Sequence, residues 1–286
     1  MEVIYGSEVS KKIKDRIKAE LETHTHLRKP HLVVIMVGNN PASLSYAKGK
    51  SKACAEVGMR FTLWQLPENI SEEDLIDNIN EFNYKDDVDG ILVQLPLPAH
   101  LNERKILETV LPTKDIDGLT THNMGKLFLQ EEGFYPCTPL GVMNLLEEMK
   151  VDLRGKNVTV IGRSMLVGLP LARLLLAKDA TVTICHSKTE DLKSKCLNAD
   201  ILIVAIGKAK FINHEYIKDG AYVIDVGVNR VDGHLCGDVD FEDVKDKVSA
   251  ITPVPKGVGP MTIAFLLENT LKAYRKNMGV NNDREL

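Results

Sequence analysis

Short apolar runs alternate with helix-length segments along most of this chain, and a sequence built that way has few options other than parallel sheets covered by helices. After a short strand, the first helix carries Val9, Ile13, Ile17 and Leu21 on one side. The run His31 to Val37 reads as a buried strand, Asn40-Pro41 opens a helix to about Val57, and Phe61 to Gln65 is the next strand. Ser71-Glu72-Glu73-Asp74 caps a helix holding Leu75, Ile79 and Phe82, Val88 to Gln94 is a third strand, and Asn102 to Val110 a third helix.

From Leu111 to Cys137 the rhythm stops, and prolines with Asp117-Gly118 predict a loop approaching an active site. Thr138-Pro139 then supplies a capping hydroxyl and a proline at the first helical position, and strands are expected at Asn157–Ile161, Thr181–Cys185, Ile201–Ala205 and Tyr222–Val226. Residues 251–260, rich in Pro and Gly, lead into a helix from Met261 to about Lys276. The expected architecture is two α/β domains: residues 1–137 with 261–286 as a catalytic domain, and residues 138–260 as a Rossmann-like, doubly wound dinucleotide-binding domain, with the C-terminal helix returning to the first. Ligands of open α/β sheets sit at the carboxyl ends of strands, so chemistry is expected in a cleft there.

A length of 286 residues accommodates two such cores, and a net charge of −4 without unbalanced Lys/Arg blocks argues against a nucleic-acid surface. No apolar run approaches the ~20 residues of a membrane span, and no N-terminal secretion signal is visible, so a cytoplasmic protein is expected. The five cysteines include no C-x-x-C pair and read as reduced, mostly buried thiols. His24 and His26 lack a ligand-spaced partner, and no metal site is expected.

Gly162-Arg163-Ser164-Met165-Leu166-Val167-Gly168-Leu169-Pro170 follows the strand Val158 to Ile161 and precedes a helix, the sequence form of a strand, a phosphate turn and a helix. Its two glycines are six apart, with Ser164 in place of a middle glycine, so alone it reads equally as an ordinary tight turn. An NAD site places a carboxylate on the ribose at the end of the next strand, whereas Ile184 is followed by Cys185-His186-Ser187-Lys188. Arg163 and Lys188 singly read as solvated charges; Arg163, Ser187 and Lys188 together suit the 2′-phosphate of NADP.

Tyr46 and Lys50, four apart on a helix, lie on one side of it, where a tyrosine covers a flat ligand and a lysine reaches its reactive centre. Gln94 ends a buried strand, where an amide is expensive without a partner, and Asp117 follows on a loop. These residues, within Asn39-Asn40-Pro41-Ala42-Ser43, Val88 to Pro98 and Lys114-Asp115-Ile116-Asp117-Gly118, together with the Gly162 turn and the stretch Thr252 to Thr262, make the chain resemble the bifunctional methylene-tetrahydrofolate dehydrogenase/methenyl-tetrahydrofolate cyclohydrolase family over nearly its whole length.

The resemblance implies oxidation of 5,10-methylene-tetrahydrofolate by NADP+, followed by hydrolysis of the methenyl cation to 10-formyl-tetrahydrofolate. By it Lys50 handles the proton of hydrolysis, Tyr46 stacks on the folate, Gln94 orients Lys50, Asp117 binds the pterin, and Ser43 positions the same loop. Pro255, Gly257 and Gly259 line the cleft. Gly162, Arg163, Ser164, Val167, Gly168 and Pro170 contact the cofactor, with Ser187 and Lys188 near its added phosphate. General-base work at neutral pH requires burial and the cationic substrate to lower the proton affinity of the lysine. Leu119-Thr120 and Lys256 depart from the family pattern; Lys256 either reaches substrate carboxylates or faces solvent. Unpaired strand edges in the second domain make a homodimer the expected assembly. The competing readings are a single-activity NADP dehydrogenase of another small substrate and a non-catalytic nucleotide-binding protein.

Overall fold

The run His31–Val37 is buried at every position, as a strand sandwiched on both faces must be, and it organises one of two parallel sheets. The computed structural model describes residues 1–280; residues 281–286, the end of the segment expected to complete the first domain, lie outside the described residues. In chain order, β1 (Glu2–Val3) and α1 (Gly6–Thr23) precede β2 (His31–Val37), α2 (Pro41–Val57), β3 (Arg60–Leu66), α3 (Glu72–Asn83), β4 (Gly90–Val93) and α4 (Glu103–Thr109). Next come α5 (Thr121–Leu129), α6 (Cys137–Glu148), β5 (Asn157–Ile161), α7 (Gly168–Leu176), β6 (Thr181–Cys185), α8 (Leu192–Leu197), β7 (Ile201–Val204) and β8 (Tyr222–Asp225). The chain then forms β9 (Asn229–Val231), β10 (His234–Cys236), α9 (Phe241–Val244), β11 (Ala250–Ile251) and α10 (Val258–Met278).

One compact unit comprises Lys11–Lys126, Glu131–Tyr135 and the chain from Ile263 onward. Its sheet has the order β3-β2-β4, all parallel. Side chains start the helices as their sequences predict. Asn40 Oδ1 accepts from the N–H groups of Ala42 and Ser43 ahead of Pro41, and Ser71 and Asn102 accept from Asp74 and Lys105. The closing helix docks here through Asn269, whose amide donates to the carbonyls of Ile116 and Tyr135, and through Tyr274, whose hydroxyl donates to the Arg28 carbonyl.

The other unit comprises Met1–Ser10, Leu127–Gln130 and Pro136–Thr262. Its six strands run β1-β11-β8-β7-β5-β6, all parallel. The chain moves outward from β5 to β6 and then returns past β5 to β7, which places the topological switch point at the carboxyl ends of β5 and β7. Four of these strands are those expected. The other two are two-residue strands, too short for periodicity, and β1 brings the first ten residues into this unit instead of the 1–137 segment.

Two local expectations are corrected. Within the predicted loop from Leu111 to Cys137 the chain forms α5, a nine-residue helix whose buried positions are Asn123, Met124 and Leu127 while Phe128 and Leu129 are exposed, so it offers only two inward apolar positions to register. Thr138 does not cap α6: that helix starts at Cys137, and the Thr138 hydroxyl meets the Thr262 hydroxyl at 2.9 Å. Pro139 is tolerated in the first turn, where its missing N–H has no intrahelical partner to lose.

Candidate functional site

In the three-stranded unit the buried stripe of α2 is Ser43, Ala47, Lys50, Ala53, Cys54 and Val57. Small neighbours let an amine sit where a helix ordinarily packs apolar groups, and Lys50 is only 8% exposed. Its Nζ donates to Gln94 Oε1 at 2.7 Å. Gln94 is fixed twice: its main-chain N–H donates to the Ile35 carbonyl at 2.8 Å, extending the β2–β4 ladder by one residue, and its side-chain Nε2 donates to the Leu95 carbonyl at 2.8 Å. With the amide nitrogen occupied, the amide oxygen alone faces the lysine. Through this bond Gln94 presents a neutral acceptor that orients the amine. One turn along, burial pushes the Cys54 thiol up to about 12, so no thiolate competes beside Lys50.

Tyr46, one turn earlier on the rim of that stripe, is 45% exposed, an aromatic ring open to a flat partner, whereas Ser43 is buried. Asp117 is half-buried in the turn after the segment that bridges β4 through Ile91 and Asp115. Asp115, which the sequence reading passed over, braces that turn. Its carboxylate accepts from the N–H groups of Leu119 and Thr120 and from the Asn123 amide at 3.1, 2.9 and 2.8 Å. Lys114 is likewise structural: its buried ammonium donates to the Phe82 and Lys85 carbonyls, and burial lowers its proton affinity. The sequence offers Lys114-Asp115 no distinguishing signal, since burial of each depends on which loops fold back over it.

In the six-stranded unit, Gly162 follows β5 with φ +130°, and its N–H donates to the Cys185 carbonyl at 2.9 Å. A Cβ there would lie 2.4 Å from the Ala205 oxygen, so only glycine fits. Ser164 shapes the turn, its hydroxyl accepting from the Val167 N–H at 3.1 Å, and α7 begins at Gly168 with Pro170 buried in its first turn. Because β5 and β6 pair Ile161 with Cys185, Arg163 leaves one strand at the level where Ser187 and Lys188 leave its neighbour, and all three are exposed. A cradle that excludes a Cβ, beside two cations and a hydroxyl, fits a dinucleotide with an extra phosphate. Pro255, Gly257 and Gly259 also belong to this unit. Pro255 is exposed, and Gly257 is buried, where a Cβ would stand 2.3 Å from the Pro253 oxygen. Lys256 is exposed with φ +82°, and its carbonyl accepts from the Ser7 N–H at 3.0 Å.

Two family models match the chain: the tetrahydrofolate dehydrogenase/cyclohydrolase catalytic domain over residues 4–117 and the tetrahydrofolate dehydrogenase/cyclohydrolase NAD(P)-binding domain over residues 136–278. The chain is 50% identical over 277 residues to the bifunctional protein FolD of Aquifex aeolicus, covering 96% of this chain and 95% of that one. Among solved structures it resembles the bifunctional methylenetetrahydrofolate dehydrogenase/cyclohydrolase FolD of Campylobacter jejuni, with a TM-score of 0.94, 48% identity and coverage of 96% and 99%. It also resembles the Trypanosoma brucei methylenetetrahydrofolate dehydrogenase-cyclohydrolase complexed with NADP cofactor and inhibitor, with a TM-score of 0.92, 38% identity and coverage of 96% and 98%.

Proposed function

The chain belongs to the tetrahydrofolate dehydrogenase/cyclohydrolase family, and from that membership and the bonded Lys50–Gln94 pair we infer that it oxidises 5,10-methylene-tetrahydrofolate with NADP+ and hydrolyses the methenyl product to 10-formyl-tetrahydrofolate. The observation that carries the reading is the 2.7 Å contact from a nearly buried amine to an amide whose other end is already engaged.

In hydrolysis, water adds to the methenyl carbon. Lys50 takes the proton that the water loses and returns one to the folate nitrogen as its bond to that carbon breaks, while the remaining hydroxyl proton passes to solvent as the formyl carbonyl forms on the other nitrogen. Gln94 holds the amine in place, Tyr46 stacks on the pterin, Asp117 accepts hydrogen bonds from its polar edge, and Ser43 helps hold the loop. Bound NADP+ supplies the hydride acceptor for the oxidation. Gly162, Ser164, Val167, Gly168 and Pro170 form the turn that receives its pyrophosphate, while Arg163, Ser187 and Lys188 take the 2′-phosphate. Pro255, Gly257 and Gly259 give backbone surface to the substrate. On this reading the three-stranded unit is the folate-binding domain and the six-stranded unit the NADP-binding domain.

The assembly is a homodimer in the cytoplasm that engages neither nucleic acid nor membrane. Supporting this, β6 is the last strand of its sheet, with Thr181, Thr183 and Ile184 exposed along an unpaired edge. Among the described residues no helix is long and apolar enough to cross a membrane.

The test is an absorbance assay of the purified protein with methylene-tetrahydrofolate and either NADP+ or NAD+, followed through the methenyl species. NADPH formation with transient methenyl accumulation and decay supports the bifunctional assignment. Methenyl that forms without enzyme-dependent decay supports a dehydrogenase alone, and no turnover supports a nucleotide-binding protein.

A further inference from the structure

Two carboxylates used in none of these steps lie inside the six-stranded unit: Asp238 is fully buried and Asp225 is 4% exposed. Asp225 ends β8. Its Oδ1 accepts from the N–H groups of Gly227 and Asp238, both at 3.0 Å, its Oδ2 accepts from Val239 at 2.9 Å, and its own N–H donates to the Thr252 hydroxyl. Asp238 reaches in another direction. Its Oδ2 accepts from the N–H groups of Ile206 and Gly207 at 2.7 and 2.9 Å, and its Oδ1 accepts from the Lys208 N–H at 2.7 Å and the Asn229 amide at 2.9 Å.

Burying a carboxylate is costly unless its lone pairs are filled, and here backbone N–H groups fill them. Burial still pushes the Asp225 carboxyl up to about 7. The space is equally committed, since a Cβ on Gly237 would stand 1.8 Å from Asp225 Oδ2. Such a built-in cost asks what the two groups hold.

They hold the switch point. Residues 206–208 follow β7, and the Ala205 N–H just before them donates to the Ile161 carbonyl at 2.8 Å, while the Ala205 oxygen is the atom against which Gly162 is packed. Three successive N–H groups gathered by one carboxylate thus fix the loop directly behind the nucleotide turn.

We infer that Asp238 and Asp225 are positioning residues for the nucleotide: Asp238 sets the 205–208 backbone that walls the Gly162 turn, and Asp225 in turn sets Asp238. This rests on the reading of the six-stranded unit as the NADP site. Its consequence is a separation of the two activities, because hydrolysis needs no nucleotide and runs on Lys50 and Gln94 in the other unit.

The test titrates the full-length protein with NADP+ by calorimetry and, separately, measures methenyl-tetrahydrofolate hydrolysis without nucleotide. Asp238→Asn keeps the shape but turns an NH2 against N–H donors. It weakens NADP+ binding by about ten-fold or more and raises the NADP+ KM far more than it lowers kcat, with hydrolysis within about two-fold of the parent. If Asp238→Asn loses hydrolysis as well, the milder Asn229→Ala, which removes one contact to Asp238, decides the matter with about a three-fold weakening and intact hydrolysis. A folded variant that binds NADP+ as the parent does overturns this inference alone, and a parent protein that binds no NADP+ overturns the functional reading with it.

Discussion

Lys50 is placed by its neighbours more than by its own chemistry. Ala47, Ala53 and Cys54 keep the inner stripe of α2 narrow, and the Gln94 amide is held by the Leu95 carbonyl so that its oxygen meets the amine. At the Gly162 turn the discriminator we propose is the exposed Arg163. Arg163→Ala is expected to weaken NADP+ by about ten-fold or more, the worth of a charge-assisted phosphate contact, while NAD+ changes by much less. Parallel titrations with the two nucleotides check this, and equal losses would remove Arg163 from the phosphate. Residues of this kind were legible in the sequence because their spacing carries meaning: four apart on a helix for Tyr46 and Lys50, and the end of a strand for Gln94. Asp115, Asp225 and Asp238 were not. Asp115 and Asp238 lie in loop-rich stretches and Asp225 at the end of β8, and none has a spacing to mark it, because the burial of each is decided by distant segments that close over it.

The elements follow the same division. Long strands and helices with side-chain caps at Asn40, Ser71 and Asn102 were readable from period and cap, whereas two-residue strands and the nine-residue α5 give too few repeats to register. The hairpin of β9 and β10 turns through Asp232-Gly233, both at positive φ, an Asp-Gly signal that the sequence reading passed over. At the start of β2, His31 is buried with Nδ1 on the Asp87 carbonyl and Nε2 on the Thr62 hydroxyl. Those partners suit a neutral ring that donates from Nδ1. Burial first, and then the nearby Arg60 charge, lower its pKa from the ordinary value. The unfolded chain therefore takes up a proton at a higher pH than the folded one. The associated stability is present above about pH 6.5 and is lost as pH falls below that value. Thermal unfolding at pH 7.5 and 5.5 should show an acid-side decline that His31→Gln reduces; an identical decline in the variant would contradict this account.

At the scale of the molecule, the chain places the bonded amine and amide with one parallel sheet and the Gly162 turn, proposed to receive the phosphates, with the other. Under the proposed homodimer, Ile184→Lys, a charge on the exposed edge of β6, is expected to shift sedimentation from dimer to monomer. A variant that sediments as the parent does would move the interface elsewhere. The central claim is that a single amine held by Gln94 performs the hydrolytic half of the reaction, and the most direct measurement is methenyl-tetrahydrofolate hydrolysis by Lys50→Met with NADP+ binding measured on the same preparation. The account predicts hydrolysis reduced to background with NADP+ affinity unchanged; hydrolysis at the parent rate in a protein that still binds NADP+ would contradict it.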